Sequence, residues 1–133
     1  MYTMMQVCRE LDMTYQTLKF YCNEGLVPNV KRDHNNRRVF DEKDVKWIKD
    51  LTCLKKCGMS IQEMKKYLEL CLQGEATIVS RKKMLARKQE ELRASIKELE
   101  DSISYIGWKQ NFYDEVLSGK RPYVSNPIRT AEK

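Results

Sequence analysis

Cys53 and Cys57 lie four residues apart in LTCLKKCGMS, residues 51–60, with two lysines between them and a glycine just after. Three chemistries fit that spacing. Two thiolates at i and i+4 of a helix can bind a metal, but they fill only half of a tetrahedral zinc site, and the chain offers no obvious second pair. One thiol can instead be a nucleophile with the other beside it, or both can pack as small apolar groups. The lone His34 sits in a polar, basic stretch, and the chain has neither a GxSxG turn nor a phosphate-cradling glycine loop. With no acid, base and nucleophile set beyond the thiol pair, no enzymatic activity, no metal and no cofactor are expected.

The helix that carries the pair separates its two members. At about 100° per residue, Val45, Trp47, Ile48, Leu51 and Leu54 occupy most of one side. Cys53 falls on the other, beside Lys46, Lys49 and Lys56, with Asp50 as the single opposing charge. Three ammonium groups around a thiol stabilise its thiolate, so Cys53 is the candidate sensor and Cys57, at the border of the two faces, a second thiol. Packing of that face against a partner subunit would also account for Cys53 and stays open. Cys8, Cys22 and Cys71 fall among apolar residues of helical faces and read as structural.

These residues need a scaffold, and composition bounds it. The 133 residues allow one small domain with an extension, and 41% hydrophobic against 33% charged residues suits a helix-rich chain. Lys+Arg 25 against Asp+Glu 19 leaves a net charge of +6, which permits a polyanionic partner without demanding one. Arg9 and Glu10 interrupt the N-terminus before an apolar leader can form, no membrane-spanning apolar run follows, and five cysteines is an odd number. A cytoplasmic protein with reduced thiols and no membrane partner is expected.

Helix punctuation is legible along the first half. Thr3 and Gln6 form a capping box opening a short helix that ends near Asp12, with Met4, Val7 and Leu11 on one face. Thr14 caps a second helix whose Leu18, Tyr21 and Cys22 face inward and whose end is marked by Gly25. Two short helices in this spacing, about residues 4–24, make a helix-turn-helix. Then VPNVKRDHNNRRVF, with the turn pair Asn35-Asn36 between Lys31, Arg32, Arg37 and Arg38, predicts a basic hairpin over about 28–40, a wing. Asp41 with Asp44 opens a third helix running to Gly58, and Ser60 with Glu63 a fourth closed by Gly74.

From Glu75 to Leu117 there is no proline and only Gly107. A single long helix follows, with Leu85, Leu92, Leu99, Ile106 and Tyr113 recurring every seven residues and Ile96 and Ile103 in the complementary row. A helix of roughly 40 residues spans about 60 Å, more than the first half can cover, so residues 75–118 are expected to form an antiparallel coiled coil with a second copy, a homodimer. Pro122 and Pro127 mark residues 119–133 as a flexible tail.

Taken in order, this layout resembles the MerR family of bacterial transcription regulators. YTMMQVC is similar to the family's opening, TLKFYCNEGLVP to its TLRYYxxxGLxP, NNRRVF to its GYRxY, and CGMSIQEM to its LGFSLEEI; the likeness covers residues 2–72 with spacing intact. It implies a mainly α fold: residues 1–74 as a winged helix-turn-helix DNA-binding domain, followed by a long dimerisation helix. The second helix would enter the major groove, placing Thr14, Tyr15, Gln16 and Thr17 at base edges, with Lys19 and Tyr21 nearer phosphates. In the wing, Arg38 matches the family arginine, and Lys31 and Arg37 add phosphate neutralisation; Arg32, taken alone, reads as a solvated charge. For Tyr21, core packing beside Leu18 is the open alternative. Lys19 and Phe20 depart from the family's Arg-Tyr, and Arg37 stands where an aromatic is usual; lysine lacks the bidentate fork of arginine.

The resemblance further implies binding as a dimer to near-palindromic double-stranded promoter DNA, with RNA polymerase at the same promoter, and control by bending and untwisting the DNA. Metal-sensing members carry cysteines in and after the long helix, and this chain has none beyond Cys71. Drug-sensing members carry a further C-terminal domain, where here a short tail is expected. The remaining likeness is to the short, aldehyde- and electrophile-responsive, AdhR/NmlR-like branch, whose sensing cysteine falls on Cys53. A coiled-coil module whose basic hairpin binds another anionic partner is the alternative from a different class.

Overall fold

The computed structural model describes residues 1–128 and is mainly helical. Its elements in order are β1 (Tyr2–Thr3), α1 (Met4–Leu11), α2 (Tyr15–Asn23), β2 (Lys31–Arg32), β3 (Arg38–Phe40), α3 (Glu42–Lys56), α4 (Ile61–Leu72), a 3₁₀ turn (Glu75–Thr77) and α5 (Ile78–Leu117). Two compact units emerge, Met1–Glu90 and the part from Glu91 on. No described helix is long and apolar enough to cross a membrane.

Local chemistry sets the helix starts of the first unit. Thr3 with Gln6, Asp41 with Asp44, and Ser60 with Glu63 form reciprocal capping boxes, each satisfying two backbone N–H groups that the first turn leaves unpaired. Gly25 (φ 75°) and Gly58 (φ 85°) close α2 and α3 in the left-handed region that disfavours a side chain. In both, the glycine N–H and the next N–H bond back into the last turn, from Gly25 to Cys22 and Leu26 to Tyr21, and from Gly58 to Lys55 and Met59 to Leu54.

What the caps position is a single core. Val7, Leu18, Leu26, Phe40, Ile48, Leu51, Met59 and Met64 are fully buried and draw on α1, α2, β3, α3, α4 and the turns after α2 and α3. Each contributes about 1.5–3 kcal/mol by leaving water. Two polar ties register the helices on it: Trp47 donates its indole N–H to the Leu26 carbonyl at 2.7 Å, and Lys65 pairs with Glu24 at 3.2 Å.

The sheet is larger than a hairpin. Its order is β1-β3-β2, all antiparallel, with Tyr2 opposite Phe40 and Arg32 opposite Arg38. The N-terminal strand β1, two residues long, shows no alternation that would announce it. It is a strand because β3 offers it an edge.

The long helix starts at Ile78, three residues later than expected. Thr77 bonds through its hydroxyl to the Leu70 and Gly74 carbonyls, and Arg81 reaches the Gly74 carbonyl at 2.7 Å, so the chain turns an elbow in 3₁₀ geometry before α5 begins. The opening turns of α5 belong to the first unit: Met84 packs on the core and Lys88 pairs with Glu63.

In the second unit α5 buries nothing. Leu92, Ile96, Leu99, Ile103 and Ile106 stand exposed on one side, as the heptad pattern expects. A second apolar group lies off that seam at helical spacing: Tyr105, Trp108 and Phe112, with ring centroids 6.2 and 6.0 Å apart. Arg121 pairs with Glu115 and lies over the Phe112 ring. Residues 120–128 form no helix or strand, and 129–133 of the expected tail lie outside the described residues.

Candidate nucleic-acid interface

At the start of α2 the Thr14 hydroxyl is already committed. It accepts from the Thr17 N–H at 3.1 Å as the cap and donates to the Thr17 hydroxyl at 2.8 Å. This pair presents one free hydroxyl proton, that of Thr17, to anything docking there. Tyr15, Gln16 and Lys19 are exposed and without such ties. Phe20, 46% exposed, joins them, an apolar surface residue the charge pattern did not single out.

Tyr21 differs from the phosphate-side placement. It is 3% exposed, its ring sits in the core beside Leu18, and burial pushes its phenol pKa up. Leu18 and Tyr21 are three residues apart on one helical face, so a helix that buries the first buries the second.

The wing turn is organised by Asp33, which the basic pattern around it obscured. Its carboxylate accepts the Asn35 and Arg37 N–H groups at 2.9 and 3.0 Å, and those bonds hold its pKa below the usual carboxylate range. Asn36 takes the left-handed conformation (φ 62°), so the loop is an Asp-centred turn rather than a two-residue Asn-Asn reversal. Arg32 and Arg37 are exposed, and Arg32 donates to the Asn36 carbonyl at 3.0 Å. Arg38, half-buried, donates to the Asn23 side-chain oxygen at 2.7 Å, which joins β3 to the end of α2. Each guanidinium keeps most of its five N–H groups for another partner.

Lys31 is expected to add phosphate neutralisation, and in the structure its ammonium, on a side chain 41% exposed, is engaged by carboxylates. Its ammonium donates to Asp41 at 2.9 Å, to Asp44 at 3.2 Å and to the Asn29 carbonyl at 3.0 Å. The Asp41 carboxylate, then Asp44, raises its pKa.

Of the residues that the motif implied, the structure brings Tyr15, Arg37 and Arg38 around one groove. A groove opens between α1, the start of α2 and the hairpin, lined by Met5, Tyr15, Arg32, Asp33, Arg37 and Arg38 among others. Three arginines and one aspartate line it together with apolar side chains. Arg32 and Met5 line the groove as well, which helical and hairpin spacing alone did not indicate.

The cysteines separate by burial. Cys8 is buried and Cys22 half-buried, and burial pushes both thiols up, at Cys22 against the opposing pull of Arg38 and Arg32. Cys71 and Cys57 are half-buried, the latter capping α3, while Cys53 is exposed on the same helix. Among the described residues, no three His, Cys, Asp or Glu side chains gather where they could hold a metal.

Comparison with known proteins now applies to this geometry. Residues 2–71 match the pattern described as MerR HTH family regulatory protein, and residues 45–106 that described as MerR, DNA binding. The chain belongs to the MerR family. Within it, the chain is 33% identical to an HTH-type transcriptional regulator of Haemophilus influenzae, over 86% of this chain and 84% of that one. It is 37% identical to the HTH-type transcriptional regulator AdhR of Bacillus subtilis, over 65% and 62%. Among solved structures it is similar to HiNmlR, a MerR family regulator lacking the sensor domain, bound to promoter DNA, at 32% identity and a TM-score of 0.72, covering 88% and 93%. These MerR relatives are named regulators rather than enzymes.

Proposed function

We propose that this MerR protein is a dimeric transcription regulator that docks the start of α2 and the wing arginines on near-palindromic promoter DNA. The observation that carries the reading is the groove that exposed Tyr15 lines together with Arg32, Arg37 and Arg38. Gln16 and Thr17 then reach base edges while Lys19 and the arginines neutralise phosphates. The exposed seam of α5 supports pairing with a second copy through residues 75–118, since a row of leucine and isoleucine on a charged helix is stable only when covered. HiNmlR, bound to promoter DNA, supports promoter DNA as the partner. Control follows by distortion of the promoter so that RNA polymerase meets it in a changed geometry in the cytoplasm.

Exposure of Cys53 supports a thiol trigger for this regulator, and the likeness to AdhR supports an aldehyde as its class of signal. Addition of the thiolate to an aldehyde carbonyl forms an S–C bond, and a proton from water completes the hydroxyl of a hemithioacetal; no oxidant is consumed. The DNA-binding reading is tested by selecting duplexes from a random pool and measuring affinity against salt. A palindromic consensus and a steep salt dependence are expected, and equal affinity for selected and scrambled duplexes overturns the regulator in favour of a general polyanion binder.

A further inference from the structure

We propose that Lys31, through Asp41 and Asp44, is a positioning residue that sets the angle of the wing and makes no contact with DNA; this rests on the DNA-binding reading above. The wing strands are two and three residues long, too short to hold a fixed direction by backbone pairing alone. β3 is further held by its pairing with β1 and by Phe40 in the core, whereas β2, an edge strand, has neither. On β3 the side-chain tie is Arg38 to Asn23 of α2, at 2.7 Å. On β2 it is Lys31, whose ammonium has three protons and three acceptors: Asn29 O at 3.0 Å, Asp41 Oδ2 at 2.9 Å and Asp44 Oδ2 at 3.2 Å. No donor is left for a phosphate.

Charge argues the same way. One ammonium and two carboxylates sum to one negative charge, so the cluster repels a phosphate rather than attracting it. Asp44 is 4% exposed, and its Oδ2 also accepts the Asp41 N–H at 3.0 Å, while Asp41 Oδ1 accepts the Asp44 N–H at 2.8 Å. The capping box of α3 is thus the fixed point to which β2 is fastened. The side-chain ties of the two strands thus run to two different helices, that of β3 to the end of α2 and that of β2 to the start of α3.

The two roles for Lys31 predict opposite outcomes at Asp44. If Lys31 touched phosphate, Lys31→Met would lower the slope of log affinity against log salt by about 0.9, and Asp44→Asn, which removes a negative charge, would tighten binding. As a positioning residue, Lys31→Met leaves the slope unchanged. Both single variants then weaken binding to a duplex recovered by the wild-type protein from a random pool by on the order of tenfold. Binding to a scrambled duplex stays unchanged, and the double variant is no weaker than the weaker single one, because each removes the same tie.

Arg37→Gln is the control that does lower the slope. Lys31→Gln, and amide exchange across the Arg32–Arg38 pair in the free protein, keep the assignment testable if one variant folds poorly. Faster exchange there is expected in both Lys31 variants, and unaltered exchange overturns the assignment. A wild-type protein without preference for the selected duplex overturns the DNA-binding reading and this assignment with it. A discriminating wild type, with a lowered slope in Lys31→Met or tighter binding in Asp44→Asn, overturns the assignment alone.

Discussion

Glu63 and Lys88 are joined by an ion pair of 3.1 Å that fastens the capping box of α4 to the third turn of α5. The carboxylate does two jobs at once, since it also accepts the Ser60 N–H at 3.0 Å. A change at the start of α5 therefore bears directly on how α4 begins.

This double use gives an acid dependence. The Ser60 N–H, then Lys88, holds the Glu63 pKa below its ordinary value; the Asp44 N–H, then Lys31, does so for Asp41, and the Arg37 and Asn35 N–H groups for Asp33. A carboxyl depressed in the folded state stabilises it fully above the unfolded pKa of about 4 and loses that contribution as pH falls through the folded value. The urea midpoint is expected to be flat from pH 7 to about 5 and to fall below that, and Glu63→Gln to start lower with a shallower decline. A midpoint that rises on acidification would contradict it.

Trp47 supplies the second prediction. Its indole N–H reaches the Leu26 carbonyl at 2.7 Å and its ring stacks on Tyr67 with centroids 6.4 Å apart. Trp47→Phe keeps an aromatic ring for the stack but leaves a carbonyl beside buried Leu26 without its donor, at a cost of about 1–2 kcal/mol. Urea denaturation followed by circular dichroism should show a lower midpoint with an unchanged m-value.

Helix boundaries were legible in the sequence because capping is local chemistry: Thr3, Thr14, Asp41 and Ser60 act on N–H groups three residues away. The hidden features depend on the fold. β1 is a strand only because β3 lies beside it, Asp33 organises its turn by facing two N–H groups at once, and the elbow at Thr77 needs the Leu70 carbonyl seven residues back. For the same reason the interface was only half visible. Counting charges in the wing cannot separate Lys31, saturated by Asp41 and Asp44, from Arg37, which stands in solvent.

That separation predicts unequal arginines. Arg32→Gln and Arg37→Gln should each lower the salt slope of DNA binding by about 0.9, with little change in stability. Arg38→Gln should also weaken discrimination between selected and scrambled duplexes, because the bond to Asn23 goes with it. Equal loss of discrimination in all three variants would remove the distinction drawn for Arg38.

Dimerisation through α5 is testable at its seam. Leu92 and Leu99, 39% and 64% exposed in the single chain, recur on one heptad row. Burying a leucine is worth about 1.5–3 kcal/mol, and two copies are lost per dimer, so Leu99→Glu should raise the dissociation constant on the order of a hundredfold or more. Sedimentation at micromolar concentration should shift from dimer toward monomer, whereas Trp108→Glu, off the seam, should sediment as the wild type does. A dimeric Leu99→Glu protein would move the interface elsewhere.

Accessibility ranks the thiols before any signal is known. Cys53 is exposed, Cys57 and Cys71 are half-buried, and Cys8 is buried with its thiol pushed up, so alkylation by iodoacetamide should modify Cys53 first and Cys8 last, as intact mass and peptide mapping can follow. A small α,β-unsaturated aldehyde, whose β-carbon adds to the thiol as a thioether that survives mass analysis, should mark the same residue. Cys53→Ala removes one sulfur from a solvent-facing position of α3 outside the core, so its stability and its DNA affinity should stay within a few fold of wild type. Its transcriptional response to the aldehyde should be lost. An intact response in that variant would detach the signal from Cys53 while leaving the DNA-binding reading in place, and first modification at Cys57 would move the sensor to the end of α3.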